Sequence, residues 1–360
     1  MLYKFLIYIS YSYAIPIGNP LEKEIIKRGY TVKWFSDIDD GAKVLQGKEN
    51  KLNNIKDVIL YNPDIILTIT DSVPDFLRGL KVQIFHGFNA EKRTFKKDHF
   101  RIRGFFDLYC TQGPSTTSVF KSIAKKLKHF EVIETGWSKV DPLFPITKDF
   151  KDDIPTIFIA STFTERLSLA YNDSVFYEIK RLANSGKFNF LMVLHPKIPI
   201  ELVHKWKSLN NDHFRFYDTT NLISLMKKAD IMIADTTSAI QEFGLQGKPT
   251  ITINHYIAKP YLINITNASQ IEETIYYALS YPDKILSELH VFNKELHPYT
   301  DGKSSERVIS TTIAFLHKNK NYLKKKPLNL IRKYKLRKRL KYFTLKSFDS
   351  PFTLESKINT

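Results

Sequence analysis

The chain has 360 residues, 43% hydrophobic and 25% charged, which exceeds ordinary single-domain size and excludes a disordered or fibrous polymer. Cys110 is the only cysteine, so an intramolecular disulfide is excluded and the thiol reads as a small buried hydrophobe in a reducing compartment. The net charge is +17, but residues 318–346 hold 13 Lys/Arg and no acid, and 17 minus 13 leaves +4 for the body; the basic stretch reads as a tail for an anionic surface.

In chain order, residues 2–9 read as a buried first strand, followed by a loop, a helix over 21–27, Gly29 and a strand over 31–35. The lysine, apolar run and small residues of positions 1–16 also fit a signal peptide, although the strand-helix-strand pattern speaks against one. No apolar run reaches the roughly 18–20 residues needed to span a membrane. Further strands are expected at 65–70, 82–85, 108–111 and 131–135, with a helix over 115–128. These strands are short and largely apolar, as in sheets covered on both faces.

A turn-rich charged stretch, 141–155, reads as an interdomain linker. A second series follows, with strands at 156–160, 188–194, 214–217, 231–234 and 250–253 and helices at 174–185, 222–228 and 238–246. The expectation is an α/β protein with two Rossmann-like domains facing a cleft, 1–145 and 151–300, with ligands at the carboxyl ends of strands. A closing helix over 305–317 and the basic tail complete the chain. In that tail Leu330, Ile331, Tyr334, Leu336, Leu340 and Phe343 alternate with cations but split between two helical faces, so no clean amphipathic anchor is apparent.

Four segments stand at expected strand ends. His86-Gly87 follows the strand at 82–85: the imidazole suits a base near neutral pH and the glycine permits close ligand approach, though a turn histidine bound to a carbonyl explains the same residues. The run Gly136-Trp137-Ser138-Lys139, continuing to Phe144, offers a tight turn and a phosphate-seeking lysine, or simply a structural crossover. His195-Pro196-Lys197 presents an imidazole and a cation suited to a phosphate-bearing ligand. Asp235-Thr236-Thr237-Ser238, with Glu242 and then Gly247-Lys248-Pro249, reads as a strand end, a hydroxyl-rich turn and a helix start. That arrangement would cradle a pyrophosphate, with Glu242 accepting ribose hydroxyls; the alternative is an ordinary helix cap.

Taken in order, the HG turn, the GWSKVDPLF crossover, the HPK turn and the ADTTSAIQE…GKP segment resemble the CDP-glycerol glycerophosphotransferases of teichoic-acid and capsule synthesis. The resemblance covers 82–253 and implies a GT-B fold, a cytoplasmic active site and a peripheral membrane habit at the inner face of the membrane. Carried over by position, His86 is the candidate base on the acceptor hydroxyl and His195, with Lys197, meets the donor phosphates. Asp235, Thr237, Ser238 and Glu242 line the nucleotide-diphosphate site, and Gly87, Gly136 and Lys139 are further contacts. The reaction implied is glycerol phosphate transfer from CDP-glycerol, or a related phosphoalditol donor, to a lipid-linked or glycan acceptor. The chain departs from the pattern after Gly87, where Phe-Asn-Ala follows, and at Thr237, which stands for a serine. No carboxylate cluster suits a metal, so no metal and no cofactor is assigned. Alternatives on the same fold are a transferase using a UDP- or CMP-sugar and a nucleotide-sugar epimerase. Outside catalysis, they are a nucleotide-sensing regulator and a nucleic-acid binder acting through the tail.

Overall fold

The computed structural model describes residues 2–88, 99–146 and 153–354. The continuation of the His86-Gly87 turn into 89–98, and 147–152 of the expected linker, lie outside the described residues. The chain divides into two compact units, 1–142 with 296–360, and 143–295.

Unit 1 carries six parallel strands, β1 (Lys4–Ile9), β2 (Thr31–Ser36), β3 (Ile65–Thr68), β4 (Leu80–Ile84), β5 (Leu108–Thr111) and β6 (Glu131–Glu134), in the order β2-β1-β3-β4-β5-β6. Phe5 to Ile9 are completely buried, because helices cover both faces and no alternation is needed. The connections carry α1 (Ile15–Lys27), α2 (Asp39–Val44), α3 (Ile55–Tyr61) and α4 (Pro114–Leu127). Helix α1 starts six residues before its expected position. Pro16 sits in the first turn, where no intrahelical donor is required, and Pro20 lies inside the helix. Cys110 is buried, and burial pushes its thiol up to about 12.

Unit 2 repeats the architecture with β7 (Thr156–Ser161), β8 (Asn189–Leu194), β9 (Phe214–Phe216), β10 (Ile231–Ala234), β11 (Thr250–Ile253) and β12 (Ile263–Ile265), all parallel, in the order β12-β11-β10-β7-β8-β9. Its helices are α5 (Asp173–Asn184), α6 (Ile200–Lys207), α7 (Ile223–Lys228), α8 (Ala239–Gly244), α9 (Ile271–Leu279) and most of α10 (Asp283–Leu296). The core gathers Ile157, Ile159, Phe190, Met192, Ile231 and Ile233 from the sheet against Val175, Ile179 and Trp206 from the helices. Strand β12 has no counterpart in the sequence expectation: it is three residues long, and only Ile265 is buried, beside half-buried Ile263 and exposed Asn264.

After α10 the chain returns to unit 1. Helix α11 (Ser304–His317) packs there: Arg28 donates to Ser310 Oγ at 3.0 Å and the Tyr3 hydroxyl lies 2.7 Å from His317 Nε2. The basic stretch, expected as a membrane-surface tail, folds onto this unit. Helix α12 (Leu330–Leu340) places Leu336 in the unit 1 core beside Phe106 and Phe130. Four of the 13 cations of the basic stretch are drawn inward by carboxylates: buried Lys326 pairs with Asp107, Lys333 with Asp349, Arg337 with both oxygens of Asp75, and Arg339 with Asp37. A buried carboxylate needs a partner, and these cations supply it.

Candidate functional site

In unit 1 the chain order reverses between β1 and β3, the place where an open parallel sheet leaves a crevice at its carboxyl edge. Tyr13 follows β1, Asp71 follows β3 and His86 follows β4. His86 is exposed, with Nδ1 3.8 Å from Asp71 Oδ1, while Asp71 Oδ2 accepts from Arg103 Nη2 at 2.7 Å. The Tyr13 ring lies 5.7 Å from the imidazole; burial first, and then Asp71, holds its hydroxyl well above the usual range, so it stays protonated as a donor. A Cβ on Gly87 would meet nothing within 4 Å among the described residues, and its carbonyl accepts from Gln112 Nε2 at 3.1 Å. The Gln112 bond ties the turn from behind. Asp71, Arg103 and Tyr13 were missed in the sequence; an acid directly after an apolar strand was the signal available for Asp71.

The crossover segment has a packing role. Gly136 is left-handed (φ +80) and a Cβ there would sit 2.4 Å from Ser304 Oγ, so the expected ligand contact is taken up by the returning chain. Trp137 donates its indole N–H to Phe85 O, and its backbone N–H to His297 Nε2 at 3.0 Å. The Lys139 ammonium lies 5.3 Å from the Trp137 ring. Asp141 does not simply turn the chain into the linker: its carboxylate accepts from the backbone N–H groups of Ser304 and Ser305 at 2.8 and 2.7 Å and so caps α11.

In unit 2 the reversal falls between β7 and β10. Asp235, expected to line the ligand site, is completely buried. Its Oδ2 accepts from Ser161 Oγ (2.6 Å), Thr162 N (3.0 Å) and Leu169 N (3.1 Å), and its Oδ1 from Thr236 N (2.5 Å). Burial raises its pKa and these hydrogen bonds oppose the rise. Asp235 thus ties the ends of β7 and β10 together rather than reaching outward. Beyond it Thr237 and Ser238 are half-buried, and Ser238 makes no side-chain cap bond to α8. Helix α8 has six residues, shorter than expected, and Glu242 on it is only 5% exposed.

Next along the same edge, His195 Nδ1 accepts from Lys197 N at 3.1 Å. A neutral imidazole then carries its proton on Nε2, a donor suited to a phosphate oxygen. The His195 ring packs 4.6 Å from Phe163, and the Lys197 ammonium lies 5.2 Å from that same ring. Phe163, which collects both groups, was missed; it falls three residues past an expected strand. On the β11 side an open cavity of about 320 Å³ is lined by Arg166, Ser168, Tyr171, Asn172, Ile253 and Asn254, at the small end of the range for ligand pockets. Among the described residues, no group of three or more His, Cys, Asp or Glu side chains could hold a metal ion.

No family model matches the chain, and no curated protein matches its sequence. Solved structures do resemble it. The wall teichoic acid polymerase TagF, in a variant soaked with CDPG, superposes with a TM-score of 0.65 at 13% identity over 86% of this chain and 88% of that one. A UDP-N-acetylglucosamine 2-epimerase from Listeria monocytogenes gives 0.61 at 14%, over 87% and 96%. S. aureus MnaA bound to UDP gives 0.61 at 15%, over 91% and 99%. Two parallel six-stranded sheets flanked by helices, shared with these proteins, make this a two-unit α/β chain of the GT-B type.

Proposed function

We propose that the protein is a transferase that moves glycerol phosphate, or a related phosphoalditol, from a CDP-activated donor to a hydroxyl of a lipid-linked or glycan acceptor in cell-surface polymer synthesis. The observation that carries this reading is the Asp71–His86 pair at the carboxyl edge of the unit 1 sheet. An imidazole backed by a carboxylate takes a proton from an attacking hydroxyl and is stabilised as the cation it becomes. The ordered motifs and the likeness to TagF support the same reading.

The acceptor oxygen attacks the β-phosphorus of the donor, the new P–O bond replaces the bond to the α-phosphate oxygen, and CMP leaves. His86 takes the hydroxyl proton. In unit 2 the Nε2–H of His195, the Lys197 ammonium and the hydroxyls of Thr237 and Ser238 offset charge on the diphosphate, while Asp235 fixes the turn that bears those hydroxyls. The cavity beside Asn254 accommodates the nucleoside, and Glu242 lies too deep for ribose contact without a local shift. This chemistry belongs at the cytoplasmic face of a membrane.

A second reading, nucleotide-sugar epimerisation, is favoured by the two UDP-linked neighbours of nearly equal likeness. One panel separates them: CDP-glycerol, CDP-ribitol, CMP-sugars and UDP-sugars, with membranes from the source cells as acceptor and His86→Ala as control. CMP release from a CDP-alditol, lost in the variant, is the expected result. Conversion of a UDP-sugar without acceptor, and no CMP release, would replace the transferase reading with the epimerase.

A further inference from the structure

The folding of the basic segment onto unit 1 separates its two kinds of side chain. Leu336 enters the core, and Lys326, Lys333 and Arg337 turn inward to carboxylates. The opposite side keeps what the core did not take. Leu345 is 104% exposed, and Leu330, Ile331, Tyr334 and Phe343 are between 57% and 73% exposed. Leu330, Ile331, Tyr334 and Phe343 form one patch, since the Tyr334 and Phe343 rings lie 6.3 Å apart and Leu330, Ile331 and Tyr334 share a side of α12. Around the patch Lys335, Lys338, Lys341 and Lys346 are exposed, and residues 318–346 contain no carboxylate.

Large solvated apolar side chains ringed by one sign of charge mark a surface that is covered in use. The charge says by what. A second copy of the chain meeting this face about a two-fold axis would set lysines against lysines. A bilayer with anionic headgroups accepts both features, apolar side chains into the acyl boundary and ammonium groups on the phosphates.

We propose that this face of α12 and the following 343–346 segment docks unit 1 onto an anionic phospholipid surface, by insertion of apolar side chains and not by diffuse charge alone. The face also leads to the candidate base. Asn329, which precedes α12, donates to Arg103 O at 2.7 Å, and Pro327 packs against Gly104, where an added Cβ would sit 2.6 Å from the proline ring. Arg103 pairs with Asp71, and Asp71 faces His86. Arg332 stands near Arg101 and Arg103, so the edge between membrane face and base is lined with cations fitted to the phosphate of a lipid-borne acceptor. Docking itself is independent of which nucleotide donor is used.

The test is sedimentation of the full chain with vesicles of phosphatidylcholine alone or mixed equally with phosphatidylglycerol. The native chain is expected to partition to the anionic vesicles only. Ile331→Ser with Phe343→Ser, both at exposed positions, should reduce partition by roughly tenfold or more, and Lys338→Ala by about fivefold. Thermal stability and CMP release with a soluble acceptor should stay unchanged, which separates failure of docking from failure of the reaction. The proposal is overturned by a native chain that ignores anionic vesicles or by a double serine variant that binds them as tightly as the native chain. A dimer in solution that the double variant dissociates would overturn it equally.

Discussion

Replacing Asp235 by asparagine keeps the shape of a side chain that the protein surrounds completely, and changes only which of its atoms accept hydrogen bonds. Four donors converge on the carboxylate: Ser161 Oγ and the backbone N–H groups of Thr162, Leu169 and Thr236. In the better orientation the amide oxygen keeps Ser161 and Leu169 while the NH2 group faces the Thr236 N–H, leaving one buried donor opposed and unpaired at about 1–3 kcal/mol. The remaining bonds weaken as the acceptor loses its charge, at about 0.5–1.5 kcal/mol in all. Burial disfavours the ionised aspartate, as its raised pKa shows, and asparagine recovers part of that cost. A net loss of about 1–4 kcal/mol lowers Tm by roughly 3–15 °C for a unit of this size. The assay is thermal unfolding by near-UV circular dichroism, paired with calorimetric titration of CDP-glycerol well below Tm. A fall in Tm with a moderate loss of affinity is expected. A Tm unchanged within about 1 °C, with affinity reduced tenfold or more, would refute the tie and place Asp235 on the ligand.

Three further outcomes follow from the same geometry. Asp71→Asn should lower kcat about tenfold with little change in KM, because the pair is long at 3.8 Å and solvated; pH profiles of kcat in both forms check it. Gly136→Ala should cost about 2 kcal/mol or more in denaturant unfolding, since it adds left-handed strain to a contact 2.4 Å from Ser304 Oγ. Lys81 lies buried in β4, and burial first, then the Lys326 ammonium, pulls it down to about 7. The unfolded chain holds that proton to about pH 10, so between those values it binds more protons than the folded one and stability climbs with pH, by at most about 1.4 kcal/mol per unit. Lys81→Met should flatten that climb and raise stability at pH 7, as read by urea midpoints from pH 6 to 10.

The residue pattern by itself determined the α/β alternation and eleven of the twelve strands, because strands covered on both faces, such as β1, β7 and β10, are apolar along most of their length and sequence displays that directly. It also located His86, His195 and the Thr237–Ser238 turn, since strand ends are legible once strands are. The helix start at Ile15 was obscured by two prolines that read as loop when the first-turn exemption is not visible. What tertiary structure decided was the work of each polar group. Asp235 could have faced a ligand; the Ser161 and Thr162 donors that claim it lie more than 70 residues away. Asp141 caps a helix 163 residues further on, and Gly136 is a glycine because that same returning segment lies against it. Local sequence cannot register partners so distant. The basic stretch is the clearest case: composition announced its charge, but Asp37, Asp75 and Asp107, between 219 and 302 residues from their cations, chose which of them turn inward. The apolar face left outside is what remained after those carboxylates and the core had been satisfied.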